Sequence, residues 1–322
     1  MASVRTALFS RSQSGGMISI EDQSLTTGNR FFVDSGSSTG GDTSGFGDSP
    51  DKPFLTVDFA IGQGTANNGD IIYVMPGHAE TLSAAADITI DVDGISILGL
   101  GTRSTKPTFT ITTGAVAAPI LWTADGCVLD NIRIVGGRAG GSNVTISIEG
   151  SFNTFSNSEL ISTATTELGI GAGLGVIVLD DDTAAISEII FDNIEYMGGA
   201  GNDESFLTVA DGSNGATYVS IKHCKIFGTF ADNTIQADQG TNTNTLWYIE
   251  DSRLANVGGD NVVVQQDSSA VFYYSNVYIF GGGSTTTPLV GFNVSYLNSV
   301  WSCEPNAYGA TTVIGSVTNW GA

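Results

Sequence analysis

Short apolar β-type runs recur along this chain, and seven of them are interrupted by a polar pair with another apolar residue close behind. The pairs are Asp130-Asn131, Asn157-Ser158, Asp192-Asn193, His223-Cys224, Asp251-Ser252, Ser275-Asn276 and Asn298-Ser299. Counted on the second residue of each pair, the steps are 27, 35, 31, 28, 24 and 23 residues. A repeat of that length, made of strands and turns, predicts a solenoid whose coils bury their inner faces only by stacking on one another. Unequal steps fit coils that carry loops of different length. Ile88, Ile90 and Val92 alternate with polar residues, as do Val144, Ile146 and Ile148, and Val262 and Val264. Adding Asp70 and Gly94 as pair positions gives about nine coils, a rod of about 40–45 Å at roughly 4.8 Å per coil. Strands joined by turns, without helices between them, predict a parallel solenoid over a doubly wound sheet. A β-sandwich is the structural alternative. The polar pairs themselves read as turn residues whose amides and hydroxyls bond along the stack.

Before the first coil the pattern changes. Residues 1–50 are dense in Gly, Ser and Asp and read as an extended arm and lead-in, broken by one possible strand at Asn29-Arg30-Phe31-Phe32-Val33. Then Phe54, Val57, Ala60 and Ile61 fall on one helical face, with Thr56 as the expected cap and Gly62 and Gly64 as the stop. A short helix near residues 56–62 is therefore predicted to cover the open first coil, whose edge would otherwise invite pairing. The expected organisation is an arm over 1–50, one β-helix over 51–310, and a C-terminal cap or subunit contact over 311–322.

Composition narrows the function classes. The chain has 322 residues with 33 acidic and 11 basic side chains, a formal charge of −22. Nucleic acid and anionic membrane surfaces need clustered cations, so both are excluded as expected partners. Residues 1–30 hold Arg5, Arg11 and Arg30 against Glu21 and Asp22, so a weakly basic arm leads an acidic body. Cys127, Cys224 and Cys303 lie far apart, with no disulfide or zinc spacing. The first residues lack an apolar core of signal-peptide length, which predicts synthesis in a host cytoplasm without export.

The stretch over residues 33–82 carries a more specific signal. Ser49-Pro50-Asp51-Lys52-Pro53-Phe54, Gly69-Asp70, Pro76-Gly77 and Glu80 stand at the positions of a Gly/Asp-rich lead-in, a turn, a capping helix and a first strand. This resembles the entry segment of right-handed parallel β-helix proteins of the pectin-lyase-like superfamily. The resemblance implies an all-β, single-stranded right-handed parallel β-helix. The superfamily includes lyases, hydrolases, phage tailspikes and non-catalytic virion proteins, so the function must be argued from a site.

Candidate chemistry is sparse. Lyases of this fold use an Arg or Lys base, and Arg133, Lys225 and Arg253 align just after the polar pairs, on a face they would share with Glu159 and Glu195. A solvated charge ladder explains the same pattern. Asp180, Asp181 and Asp182 form the densest acidic run and are weak metal candidates, but adjacent strand residues alternate faces and dilute such a cluster. His78 and His223 are the only histidines, with no nucleophile-elbow motif beside either. No catalytic residue and no cofactor is expected.

The small size, the Gly/Thr/Ala-rich coils, the free amino-terminal arm and the absent export signal look most like a bacteriophage structural protein. The expectation is a non-enzymatic capsid decoration protein on the virion surface. It would dock on the major capsid protein, or another virion protein, through Arg5, Arg11, Arg30, Phe31 and Phe32. Trp301 and Trp320 in the aromatic-rich C-terminal third would mediate self-association as a homotrimer. The alternative is a tailspike-like protein that binds or cleaves a host glycan.

Overall fold

The computed structural model describes residues 28–112, 118–137, 144–163, 165–169, 175–180, 184–198, 203–210, 214–237, 244–257, 261–264, 271–281, 289–290 and 294–303. Side chains are described through residue 263 of these and over 271–281. Short strands stack in three parallel ladders. One climbs from β1 (Arg30–Val33) to β2 (Ile71–Val74). It continues through 96–99, 128–130, 154–156, 190–192, 220–222 and 245–250 into the long strand Val271–Gly281. A second ladder runs through 79–82, 108–111, 133–136, 159–161, 195–197, 225–228 and 253–256, then joins the far half of the same long strand. The third is an eight-stranded sheet from Ile88–Ile90 to Leu289–Val290. The molecule is thus an all-β, right-handed parallel solenoid, the hand that parallel crossovers strongly favour. Eight strands in the third sheet differ modestly from the nine coils expected.

The alternating pattern explains the interior. Ile97, Leu129, Phe155, Phe191, Ile221, Ile249 and Tyr274 occupy one inward column, each directly above the last, and all are buried. Burying one such side chain contributes roughly 1.5–3 kcal/mol, so like-on-like columns carry most of the stack's stability. The third sheet departs from simple alternation. Its outward-pointing Ser147, Val178, Thr208 and Gln236 are buried as well. Strands covered on both faces are usual in parallel sheets, and this face offers no open strand surface.

The polar pairs mark corners between the first and second ladders, and among the described residues one member of each of the first six adopts positive φ. In chain order these are Asn131, Asn157, Asn193, His223, Asp251 and Asn276, with φ from +46° to +55°. The sequence count used the second residue of every pair. The structure aligns Asn157, His223 and Asp251, the first residues of theirs, with Asn131, Asn193 and Asn276. What is in register is the left-handed position, which Asn, Asp and His tolerate better than most residues.

The amino-terminal end is closed by α1 (Val57–Ile61) and by the lead-in. Val57, Ala60 and Ile61 are buried over the first coils, as expected of the capping helix. Thr56 does not cap with its side chain, which donates instead to Asp42 Oδ2 at 2.9 Å. The Val57 N–H donates to Glu80 Oε2, 3.2 Å away and one strand on in the fold. The exposed edge of β1 is covered by residues 46–54: Phe32 N–H donates to Gly47 O, Phe54 N–H to Phe32 O, and Asp34 N–H to Phe54 O, each at 2.8 Å. Part of the segment expected to be a free arm is therefore the lid of the solenoid.

Candidate functional site

The second ladder brings the sequence candidates into one outward column. Arg133, Glu159, Glu195, Lys225, Arg253 and Tyr278 are successive register partners. Lys106 joins them from the preceding turn. Arg133 grips Glu159 with Nε at 2.9 Å and a terminal guanidinium nitrogen at 2.8 Å, while Lys106 Nζ reaches Glu159 Oε1 at 3.1 Å. Lys106 is itself 8% exposed and also donates to Asn157 O at 2.9 Å. Burial pushes the Glu159 carboxyl up, but hydrogen bonds and charge from Arg133 and Lys106 outweigh it and hold the group below its usual range. A shallow depression of about 120 Å³ lies over Lys106, Asn157, Glu159, Asn193, Glu195 and Lys225.

These groups are poorly arranged for catalysis. A glycosidase needs one carboxyl kept protonated near neutral pH, and Glu159 is shifted the other way. A lyase-type base must stand free to meet its substrate, whereas Arg133 and Lys106 are both engaged by Glu159. The Arg253 guanidinium lies 5.7 Å from the Tyr278 ring centroid, a cation–π contact. The column is a charge ladder that ties coil to coil.

Corner side chains form a second ladder. Asn131 Nδ2 donates to Gly99 O at 2.6 Å, Asn157 Nδ2 to Asp130 Oδ1 at 2.6 Å, and Asn193 Nδ2 to Asn157 Oδ1 at 2.8 Å. Farther along, His223 Nδ1 sits 2.7 Å from Asp192 Oδ1, its Nε2 lies 3.9 Å from Asp251 Oδ2, and Asn276 Nδ2 donates to Asp251 Oδ1. The bond to Asp192 raises the His223 pKa, with Asp192 and Asp251 charge adding to it. Cys224, next to it, is buried and accepts no ligand role; burial pushes its thiol up to about 12.

The expected attachment residues divide. Arg5, Arg11 and Trp320 lie outside the described residues. Arg30 and Phe32 are half-buried in β1, with Phe32 stacked on Tyr73 at 5.5 Å. Phe31 is a correction: it is 7% exposed and packs against Phe54, so it belongs to the core and offers no docking surface. Alternation along β1 points it inward. Trp301 lies in the strand Val294–Cys303, its backbone paired with Tyr278. Asp180 closes a strand, its N–H donating to Ile148 O at 2.8 Å, while Asp181 and Asp182 lie outside the described residues. Among the described residues no cluster of three metal-ligating side chains occurs.

Sequence reasoning missed the buried polar anchors. Asp70 is fully buried and accepts from Asn29 N–H at 2.6 Å, Thr65 N–H at 2.8 Å and Asn68 Nδ2 at 2.7 Å. Burial would raise its pKa, and these donors together hold it low. His78, also buried, accepts from Ser35 N–H at Nδ1 and meets Glu80 Oε2 with Nε2 at 3.1 Å, linking lead-in, first coil and helix cap. Asp203 takes N–H bonds from Leu168 and Gly169 at 2.9 and 2.8 Å and is bonded by the Tyr196 hydroxyl. Asp70 and Glu80 were read only as parts of a motif.

A second left-handed corner lies at the start of the first-ladder strands, and Gly94, counted in the sequence with the polar pairs, belongs to it instead. Gly94, Gly126, Phe152, Glu188, Tyr218 and Leu246 occupy successive coils there at φ between +57° and +72°. Their N–H groups donate up the stack, from Gly126 to Ser151 O, Phe152 to Ser187 O, Glu188 to Thr217 O, and Tyr218 to Thr245 O.

Comparison with known proteins yields fold neighbours. No protein-family model matches the sequence, and no curated protein does. A pectate lyase structure matches at 14% identity over 86% of this chain and 78% of its own, with a TM-score of 0.53. A rhamnogalacturonan lyase matches at 12% identity, 85% and 87% coverage and a TM-score of 0.49. So does ORF18 of Geobacillus virus E2, at 12% identity, 85% and 61% coverage and a TM-score of 0.49. At these identities the likeness to the pectate lyase is one of fold: the two share a parallel β-helix.

Proposed function

We propose that this chain is a non-enzymatic structural protein of a bacteriophage particle, a decoration protein held on the capsid by the residues ahead of its first coil. One observation supports the non-enzymatic part: three of the charged groups in the outward column are bound to one another, Arg133 and Lys106 both closing on Glu159. The virion part draws on the likeness of the Gly/Thr/Ala-rich coils and the amino-terminal arm to bacteriophage structural proteins. Docking on the major capsid protein and assembly as a trimer complete the reading.

The first coil sets where the test must cut. Asn29 is pinned to Asp70 and β1 starts at Arg30, so a deletion must stop at residue 27 to leave the lid intact. The chain lacking residues 2–27 is expected to fold with an unchanged melting temperature and to be absent from purified particles. Normal incorporation of that chain would refute the attachment role.

A glycan-cleaving role is the second reading, and Glu204 favours it. Burial raises its carboxyl, and the charge of Asp232 on the next coil raises it further, the direction a general acid requires. If this reading holds, wild-type protein releases saccharides from host envelope polysaccharide and Glu204→Gln does not. Absence of release from the wild type removes it.

A further inference from the structure

The two left-handed corners use different residues for the same backbone shape. At the polar-pair corner the positive-φ positions are filled by Asn, Asp and His, types that visit this region readily. At the second corner, two coils use Gly94 and Gly126, which adopt it without strain. The next coils place Phe152 at φ +60°, Glu188 at +57° and Tyr218 at +57° in the same register. Bulky residues are disfavoured there, and such outliers concentrate at sites where the strained geometry serves a purpose. Burial supplies no purpose, since Phe152 is 55% exposed and Tyr218 51%.

The geometry gives these rings a defined arrangement. Phe152 and Tyr218 stand two coil steps apart on one edge, about 10 Å along the solenoid axis. Glu188 lies on the coil between them, exposed and acceptor-only when ionised. Ile190, 37% exposed, stands two residues beyond Glu188 and extends the apolar rim. Two flat rings held on a rigid ladder, with a hydrogen-bond acceptor between, match a chain of pyranose rings. Sugar C–H faces stack on the aromatics, and the intervening hydroxyls donate to the carboxylate. Charge selects among such chains: with 33 acidic and 11 basic residues the body repels uronic and sulfated polymers.

We propose that the Phe152–Glu188–Tyr218 corner is a binding platform for a neutral polysaccharide lying parallel to the solenoid axis. The site is separate from the charged column and from the segment before residue 28, so it stands whether or not the attachment role does.

The test is calorimetric titration of the full chain with cellohexaose, laminarihexaose and isomaltohexaose, with hexagalacturonate as the acidic control. At least one neutral hexasaccharide is expected to bind, and hexagalacturonate is not. Phe152→Ala and Tyr218→Ala should each weaken binding about tenfold, an effect of the size expected for one stacked ring. Phe152→Gly should lose binding equally while melting no lower than wild type, because glycine accepts the corner's φ. That separates a ligand platform from a structural role, which would lower the melting temperature. No binding by any neutral probe, a preference for hexagalacturonate, or affinities unmoved by both aromatic substitutions would overturn the proposal.

Discussion

At the residue scale, this fold depends on a few polar side chains placed where the backbone could not otherwise be satisfied. Asp70→Ala would strip partners from the Asn29 and Thr65 N–H groups and loosen the first coil. The expected cost is about 2–4 kcal/mol, read as a shift in the urea midpoint. Two titrations should shape stability against pH. Glu159 has a depressed folded pKa, so its contribution is complete above its ordinary value of 4.5 and disappears as pH falls below it. His223 has a raised folded pKa, so its contribution is complete below 6.5 and disappears as pH rises above that value. Thermal melts should therefore show a plateau between the two, and His223→Asn, which can keep the corner's φ, should flatten the alkaline slope. An alkaline slope unchanged in that variant would remove His223 as its origin.

At the scale of elements, the weakest points of a solenoid are its ends, where strand edges and core lie open. The lid over residues 46–54 closes one end through Phe54, which is 3% exposed and sits against Phe31 and Phe59. A side chain on Gly47, at φ +86°, would come within 2.0 Å of the Phe54 ring. Gly47→Ala should lift the lid, raising amide exchange first in β1 and β2 while the central coils stay protected. Uniform exchange along the whole stack would mean that the lid has no separate role.

Particular positions show how much of this was legible in the sequence. Asp130-Asn131 and its counterparts announced a corner because Asn and Asp are the residues that tolerate left-handed backbone. Phe152, Glu188, Tyr218 and Leu246 announced nothing, because their chemistry argues against the conformation they hold. Strict alternation would put Tyr274 and Tyr278 on one face, but the left-handed Asn276 between them shifts the phase, so Tyr274 is buried and Tyr278 exposed. Thr56 holds the N-cap position expected of it, but the side chain that accepts from the helix N-terminus is Glu80, which only the fold brings there. The charged column was legible as a shared face, but only coordinates reveal that Glu159 is enclosed by two cations.

Across the whole molecule, net charge and stacking act against each other. A chain of charge −22 repels itself, while the ion pairs among the described residues are few and partly exposed. Raising ionic strength from low to physiological should therefore raise the melting temperature, as screening relieves repulsion more than it weakens the pairs. A fall would show that the charge ladder outweighs the net repulsion. The decoration role proposed for this chain would place such a solenoid repeatedly on a shell surface.

The measurement that bears most directly on that role is the copy number of this chain relative to the major shell protein in purified particles, by quantitative mass spectrometry. The decoration role predicts a fixed ratio close to that of the shell subunits. A handful of copies per particle, as at a tail tip, would contradict it.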